Sequence, residues 1–339
     1  MTQNHGGSES HKAVLDKIKN TRNDIIRELR KLIVGQPEPI DQLLAGMFAG
    51  GHSMIQGPPG TAKTVLISSI AKVMDLECKR IQFTPDLMPS DISGTEILEE
   101  DKTTGHRFVK FVQGPVFANM VIADEINRTP PKTQAALLEV MQEKQVTLGG
   151  KTYPLPKPFY VLATQISMEQ EGTYPLPEAQ QDRFMLAIMM KYLPDDEEVT
   201  VVRNSTGASK IKLDKVITGN DLITFNKAVR DVALPENLGG YIVDFVASSR
   251  PVKQGCPDFI KEYVSWGAGL RASQNISLMS KSIAAMDGRA TVELEDVVNA
   301  IIPVLRHRIG LSFRAEVDRV TVEDIIHKLI QAIPKPHKG

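Results

Sequence analysis

The chain has 339 residues, which is long for one compact domain, so its length predicts two domains. Its 40 lysines and arginines nearly balance its 41 aspartates and glutamates, which argues against non-specific binding to nucleic acid. The two distant cysteines argue against disulfides and zinc, and the lack of a long apolar run or a signal-like N-terminus predicts a cytoplasmic protein without a membrane span.

The first fifty residues predict a polar tail and two helices. Residues 1–12 are polar, and we predict that they are disordered. From Val14 to Leu32, apolar residues recur at helical spacing. The run from Ile33 to Gln36 breaks this helix, and Pro37 suits the first turn of a second helix that ends near Ala49.

The stretch from Gly57 to Thr64 reads Gly-Pro-Pro-Gly-Thr-Ala-Lys-Thr. It follows a short apolar run and opens into a helical pattern, which is the strand, turn and helix order of a phosphate-binding loop. Such a loop directs backbone N–H groups and the positive end of a helix at a polyphosphate. The plain alternative is a Gly/Pro turn before an ordinary helix.

Within this loop, Lys63 would contact the β- and γ-phosphates of a nucleotide, and the Thr64 hydroxyl would coordinate Mg²⁺. Ala62 stands where the general pattern has a second glycine, and alanine fits there only if the residue does not need a positive φ. The predicted nucleotide-binding residues of the loop are Pro59, Gly60, Thr61, Ala62, Lys63, Thr64 and Val65.

A second signal is an apolar run that ends in two acids, Asp124 and Glu125. The continuous apolar run from Met120 to Ala123 is typical of a strand buried on both faces of a parallel sheet. Hydrolysis of a nucleoside triphosphate needs one carboxylate at Mg²⁺ and a neighbour that activates water. A strand also ends in acids by chance, so the pattern gains its weight from the loop that precedes it.

The remaining elements predict two regions. Hairpins are predicted around Thr104-Gly105 and Gly149-Gly150. A strand at 159–165, a short helix from Pro177 and a strand at 185–190 follow. The total of about five parallel strands with helices between them predicts a three-layer α/β domain. Beyond residue 212 every segment reads as helix, and Thr321 begins a capping box. We predict an α/β core at 13–204, a linker at 205–212 and a small all-helical domain at 213–335.

Six segments together resemble the MoxR family of AAA+ ATPases, over nearly the whole chain after residue 12. They are Ile33–Gln36, Gly57–Thr64, Gln82–Leu87, Asp124–Arg128, Gln170–Gln180 and Val304–Arg308. The family's loop normally reads Ala-Lys-Thr, so Ala62 is ordinary there. The resemblance implies a P-loop NTPase core followed by an all-α lid, assembled as a ring that is usually a hexamer, with ATP and Mg²⁺ at the subunit interfaces.

The resemblance also implies roles for individual residues. Asp124 would support the metal and Glu125 would activate water. Backbone contacts from Val34, Gly35 and Gln36 would line the adenine pocket.

Two arginines resemble the family's phosphate sensors. Arg183 resembles the arginine finger that reaches the γ-phosphate bound to a neighbouring subunit, and Arg271 matches the second sensor of the same phosphate. Arg183 could instead form a surface salt bridge, and Arg271 could be a solvated helix residue. Arg128 could point across the interface or be structural. The two hairpins resemble inserts that face the ring's central space, or they simply extend the sheet.

One position departs from the family pattern. The family usually has asparagine after Ala-Thr-Gln, as the first sensor that polarises water, and here Ile166 stands in that place. Isoleucine has no hydrogen-bonding group, so the role is empty unless Gln165 fills it.

Three functions follow as alternatives. The first is an ATP-hydrolysing factor that remodels protein complexes, together with a partner that bears a von Willebrand factor A domain. The second is a scaffold that binds ATP and assembles with little turnover because of Ile166. The third is a DNA motor, against which the near-neutral charge argues.

Overall fold

The computed structural model describes residues 5–100, 102–103, 106–165, 172–205 and 211–336. Within these ranges, none of the helices combines the length and the apolar character needed to cross a lipid bilayer. The predicted turn residues Thr104 and Gly105, and the middle of the predicted linker at 206–210, lie outside the described residues.

A five-stranded parallel sheet forms the centre of the N-terminal half. The strands of the whole chain are β1 (Ser53–Gln56), β2 (Cys78–Gln82), β3 (Gly94–Glu100), β4 (Arg107–Gln113), β5 (Met120–Asp124), β6 (Gln145–Leu148), β7 (Lys151–Pro154), β8 (Tyr160–Thr164), β9 (Leu186–Met189), β10 (Val264–Trp266) and β11 (Gly310–Leu311). The central sheet has the order β2-β5-β8-β1-β9. Its register sets Gln82 opposite Asp124 and Ser53 opposite both Leu162 and Leu186.

Helices cover both faces of this sheet and make up most of the C-terminal half. They are α1 (His5–Leu29), α2 (Pro37–Phe48), α3 (Lys63–Val73), α4 (Pro89–Ser93), α5 (Pro131–Glu143), α6 (Glu178–Gln181), α7 (Asp195–Ser205), α8 (Gly219–Asp231), α9 (Glu236–Ser248), α10 (Asp258–Tyr263), α11 (Leu270–Met286), α12 (Leu294–Leu305), α13 (Phe313–Val317) and α14 (Val322–Ala332). The predicted three-layer α/β core followed by a helical lid region is confirmed.

Successive residues of the central strands point into two different hydrophobic clusters, because side chains alternate across a strand. In β8, Leu162 joins the cluster that contains α1, α2 and α3, whereas Val161 joins the cluster that contains α5. The first cluster continues into the C-terminal helices as far as Leu329. The helical region therefore shares its core with one face of the sheet.

Two sequence predictions need correction. The N-terminal helix begins at His5, so residues 5–12 of the predicted disordered tail are helical, and Leu15 and Ile18 of that helix are fully buried. The C-terminal region is not purely helical, because β10 and β11 pair as an antiparallel two-stranded sheet. These strands have only three and two residues, too few for an alternating pattern to stand out in the sequence.

Both predicted hairpins are confirmed. Strands β3 and β4 pair over seven residues each, and β6 and β7 pair across the Gly149-Gly150 turn. Both turn glycines have positive φ, which glycine adopts without strain. The Glu96 carboxylate on β3 lies where a Cβ at Gly149 would be, so this glycine lets the two hairpins approach each other.

Candidate functional site

The loop between β1 and α3 wraps around the ammonium group of Lys63. The Nζ atom of Lys63 donates to the carbonyl oxygens of Gly57 at 2.9 Å and Pro58 at 2.7 Å, and lies 3.4 Å from the Thr61 hydroxyl. Burial lowers the pKa of Lys63, and the charges of Asp124 and Glu125 oppose this shift. The positively charged ammonium group of Lys63 thus lies at the centre of the loop.

The first turn of α3 presents free backbone donors. No side chain caps this helix. Among the described residues, the N–H groups of Lys63, Thr64 and Val65 find no backbone acceptor, while Leu66 donates to Ala62. The first N–H groups of a helix attract anions when they are unsatisfied. Together with Lys63, this arrangement fits a polyphosphate.

Ala62, the residue before α3, has φ 61° and ψ 26°, in the left-handed region. The condition set from the sequence, that alanine fits only without a positive φ, is therefore wrong. Alanine occupies a conformation that glycine adopts more easily, at a cost of about 1–2 kcal/mol. Its side chain is exposed, so no packing in the core offsets this strain.

Asp124 lies at the end of β5 with its carboxylate buried and fixed by protein donors. The Thr164 hydroxyl donates to Oδ1 at 2.5 Å, and Nε of Arg80 donates to Oδ2 at 2.9 Å. The Thr64 hydroxyl lies 3.4 Å from both carboxylate oxygens. The two predicted metal-binding side chains are therefore brought together.

Glu125 follows at φ 57°, a positive value that is uncommon for glutamate. Its backbone N–H donates to the Thr164 hydroxyl at 2.8 Å, and its carboxylate accepts from Nε2 of Gln82 at 3.1 Å. Arg128 lies 3.5 Å from the same carboxylate, so this arginine forms an ion pair within its own chain. Strained residues of this kind often mark functional sites.

The oxygen set of Thr64 and Asp124 fits Mg²⁺, which usually binds through one or two protein oxygens, substrate phosphates and waters. No cluster of three or more histidine, cysteine or acidic side chains that could hold a metal by itself occurs in the described part of the chain. Any metal at this site would therefore depend on a bound phosphate.

A cavity of about 410 Å³ lies among α1, α2 and α7 and is lined by Val34 and Gly35, among other residues. Gly35 has φ 65°, which favours glycine, and a Cβ there would lie 2.1 Å from the Glu197 carboxylate, so a larger residue would have to displace that side chain. Gln36 also has a positive φ and donates from Nε2 to the carbonyl of Lys191 at 2.6 Å. The predicted adenine-binding segment thus borders a cavity of suitable size.

Gln165 follows β8 and lies beside the end of β1, where the loop to α3 begins. Its Oε1 accepts from Nε2 of Gln56 at 2.7 Å, and Gln56 is the residue before the loop begins. The Gln165 amide is therefore near the loop. Ile166 lies outside the described residues.

Arg183 and Arg271 lie at the opposite edge of the sheet. Ser53 pairs with Leu186 in parallel, so the residues just before these strands lie where β1 and β9 begin, whereas the loop that leads into α3 follows the end of β1. A small cavity of about 90 Å³ at this edge is lined by His52, Met141, Gln142, Arg183 and Arg271. The two arginines therefore lie together, away from the loop of their own chain.

The alternatives for the two arginines differ in outcome. Within the described residues, the Arg183 side chain has no ion pair, so the surface salt bridge considered for it is not found. Arg271 is half-exposed, and its Nη1 lies 2.6 Å from Oδ2 of Asp182. It is therefore a paired residue at the start of α11.

Sequence reasoning missed several residues that hold the predicted ones in place: Arg80, Thr164, Asp182 and Arg308. Arg80 lies two residues before the motif Gln82–Leu87, and Arg308 is the last residue of the motif Val304–Arg308, so recognised patterns were beside or around both. Nothing in the linear sequence pairs Asp182 with Arg308, because 126 positions separate them.

Comparison with known proteins identifies both halves of the chain. Residues 52–186 match the model of the ATPase family associated with various cellular activities, and residues 259–329 match the AAA lid domain. The two matches coincide with the α/β core and the C-terminal helical region.

Relatives match over nearly the full length. Chaperone MoxR1 of Mycobacterium tuberculosis is 38% identical over 98% of this chain and 85% of the relative. Protein MoxR of Methylorubrum extorquens is 27% identical over 91% of this chain and 94% of the relative. A crystal structure of a predicted ATPase from Cytophaga hutchinsonii superimposes with a TM-score of 0.89 at 40% identity, covering 98% of this chain and 99% of that one.

Proposed function

Because this chain belongs to the MoxR family of AAA+ ATPases, we propose that it binds ATP with Mg²⁺, hydrolyses it, and uses the turnover to remodel protein complexes. The observation that carries the proposal is the loop around Lys63, with free N–H groups at the start of α3 and the Asp124 carboxylate 3.4 Å from the Thr64 hydroxyl. These are the donors and the metal-side carboxylate that a nucleoside triphosphate requires.

Each residue has a separate task in this proposal. Lys63 exchanges its contacts with loop carbonyls for phosphate oxygens, and Thr64 and Asp124 hold the metal. Glu125 orients and deprotonates the attacking water, and Thr164 fixes Asp124 and the backbone of Glu125. Bound ATP–Mg²⁺ supplies the reactive γ-phosphoryl group and neutralises part of its charge.

The position of Arg183 and Arg271 supports a site shared between two copies of the chain. Both arginines lie at the sheet edge remote from their own phosphate-binding loop, so neither serves the nucleotide bound by its own subunit. A neighbouring copy that docks this edge onto the loop would complete the site. We propose a ring, usually six subunits in this family, in which the two arginines neutralise developing negative charge on a neighbour's phosphate.

A direct test compares Lys63→Ala and Glu125→Gln with Lys72→Ala, an exposed lysine on the same helix that serves as the control. Lys63→Ala should weaken binding of a fluorescent ATP analogue by at least about tenfold, because a hydrogen bond to a charged group is lost. Glu125→Gln should keep the affinity and lower phosphate release about 100-fold or more. Unchanged binding in Lys63→Ala would exclude this loop as the nucleotide site.

The second candidate, a nucleotide-gated scaffold, rests on Ile166 at the first-sensor position. The same assay separates the two. A scaffold would release phosphate no faster than its Glu125→Gln variant, although both would bind ATP.

Remodelling would involve a protein partner, for which the family resemblance suggests a von Willebrand factor A domain protein. Glu125→Gln retains ATP and should therefore stabilise such a complex. Affinity capture with ATP, using Lys63→Ala as the control, should recover a protein with that domain from the Glu125→Gln sample alone. Equal recovery in both samples would argue against nucleotide-dependent binding.

A further inference from the structure

The short segment from Asp182 to Ala187, which carries Arg183, is held by side chains from the end of α12 and the residues that follow it. Arg306 donates to the carbonyl of Ala187 at 2.7 Å, and Nε2 of His307 lies 3.1 Å from the carbonyl of Phe184. The backbone near Arg183 is thus fixed by the helical region.

Arg308 makes the most extensive contribution to this contact. Its side chain is 1% exposed, and its five N–H donors have acceptors within reach. Nε donates to Oδ1 of Asp182, Nη2 to the carbonyls of Asp182 and Phe184, and Nη1 to those of Met185 and Val304. A buried guanidinium with every donor engaged is a rigid anchor.

The Asp182 carboxylate is divided between two arginines. Oδ1 accepts from Nε of Arg308 at 2.7 Å, and Oδ2 accepts from Nη1 of Arg271 at 2.6 Å. Burial lowers the pKa of Arg308, Asp182 opposes this shift, and the charge of Arg271 adds to it, so the two guanidinium groups repel each other. The Asp182 carboxylate lies between the two guanidinium groups and offsets this repulsion.

Arg183 is the next residue along the chain and, in the described ranges, has no carboxylate partner. The Asp182 carboxylate therefore balances Arg271 and the buried Arg308 only in part, and Arg183 adds a further positive charge beside them. His52, which lines the same small cavity, adds no charge at neutral pH because burial lowers its pKa to about 4. The excess positive charge suits an anion supplied from outside the chain.

We propose that Asp182 is a positioning residue that holds Arg271 beside Arg183, so that both arginines reach one phosphate of a neighbouring subunit together. This inference rests on the proposed function, because it presupposes a nucleotide at that neighbour's loop. Arg308 fixes the backbone of the segment and binds Oδ1 of Asp182, and Oδ2 of the same carboxylate fixes Arg271.

Asp182→Asn tests this while keeping a hydrogen-bond acceptor for the anchor. The amide oxygen of asparagine can still accept from Nε of Arg308, but its NH₂ group cannot accept from Arg271. We expect unchanged affinity for a fluorescent ATP analogue, because the loop from Gly57 to Thr64, at the opposite edge of the sheet, binds the analogue. We expect kcat to fall about 10- to 100-fold, the loss expected when a phosphate-contacting group is misplaced by about 1 Å.

A double-mutant cycle separates positioning from general loosening. In an Arg271→Ala background, Asp182→Asn should change neither kcat nor the protein concentration at which ATP drives assembly in sedimentation experiments. A loss of equal size in both backgrounds, or an unchanged kcat in the single variant, would overturn the role of Asp182. If the asparagine variant does not fold, the same cycle is run with Asp182→Glu, which keeps a carboxylate for Arg308. A fall in kcat that occurs only when Arg271 is present supports the proposal. An equal fall in kcat in both backgrounds overturns it.

The parent protein and Lys63→Ala serve as references in these experiments. If the parent binds and hydrolyses ATP but the double-mutant cycle shows no coupling between Asp182 and Arg271, the proposed function stands and only the role of Asp182 is excluded. A parent that binds no adenine nucleotide contradicts the proposed function itself.

Discussion

At the scale of single residues, the candidate site contains three left-handed backbone positions that are not glycine, at Gln36, Ala62 and Glu125. Ala62 has φ 61° at the start of α3, and Glu125 has φ 57° at the end of β5. Each costs folding free energy that the surrounding structure must offset. At Ala62 the side chain is exposed, so the cost can be measured without disturbing the core.

Ala62→Gly should raise the free energy of unfolding of the nucleotide-free protein by up to about 1 kcal/mol, because relief of strain exceeds the added flexibility of the unfolded chain. Ala71→Gly, at a buried position of the same helix, should lower it by about 1 kcal/mol. Urea unfolding measures both. Equal destabilisation by the two substitutions would show that Ala62 carries no strain.

Ile166→Asn should raise steady-state turnover with little change in ATP affinity, because asparagine restores a group that can polarise water at the first-sensor position. Ile166→Val is the matched control and should leave turnover unchanged. Phosphate release at saturating ATP is the measurement. If the parent and the asparagine variant turn over equally fast, position 166 does not limit hydrolysis.

At the scale of elements, His52 links β1, β8 and α5 at the sheet edge where Arg183 and Arg271 lie, which we call the arginine edge. Its Nδ1 accepts from the N–H of Val161 at 2.9 Å on β8, and its ring also bonds the backbone of Met141 on α5. The residue itself immediately precedes β1. Burial, together with the charge of Lys144, lowers the pKa of His52 to about 4.

Since this folded-state pKa lies below the unfolded value of about 6.5, the unfolded chain binds the proton first as pH falls. The contribution to stability is complete above pH 6.5 and is lost between pH 6.5 and about 4. From pH 7 to pH 5, the free energy of unfolding should fall by about 1–2 kcal/mol more in the parent than in His52→Gln. The same fall in both proteins, measured by urea unfolding, would exclude His52 as the source.

At the scale of the whole molecule, the loop from Gly57 to Thr64 and the pair Arg183 and Arg271 lie at opposite edges of one sheet. Arg183 cannot reach the loop of its own copy without breaking the parallel pairing of β1 and β9, and Arg271 is paired with Asp182 beside it. Assembly is therefore part of the proposed catalysis. The cytoplasmic location and the number of subunits stay predictions.

The ATPase rate per subunit should therefore rise with protein concentration, because isolated copies lack the second half of the site. Arg183→Ala should remove this dependence and give the low rate of the dilute protein at every concentration. Phosphate release measured from nanomolar to micromolar protein, together with sedimentation of the same samples, distinguishes a site shared between copies from a site complete within one copy. A constant rate per subunit in samples that are demonstrably monomeric would contradict a shared site.

The sequence by itself determined the fold class and the order of strand, glycine-rich loop and helix around Lys63, and it predicted the phosphate-binding role of that loop and the metal-side role of Asp124. Neighbouring residues supply the N–H groups of the loop and the lysine inside it, so a local pattern contains the whole arrangement. The parallel strands were equally readable, because strands buried on both faces are continuous apolar runs.

Only the tertiary structure decided the left-handed φ of Ala62, the pairing of β10 with β11, and the assembly of the arginine edge. Asp182 meets Arg271 across 89 positions and Arg308 across 126, and such contacts depend on how the helical region packs against the sheet. The linear spacing of residues determines which groups share a turn or a strand end. It does not determine which distant side chains meet when two layers close on one another, because burial of the whole core selects that arrangement.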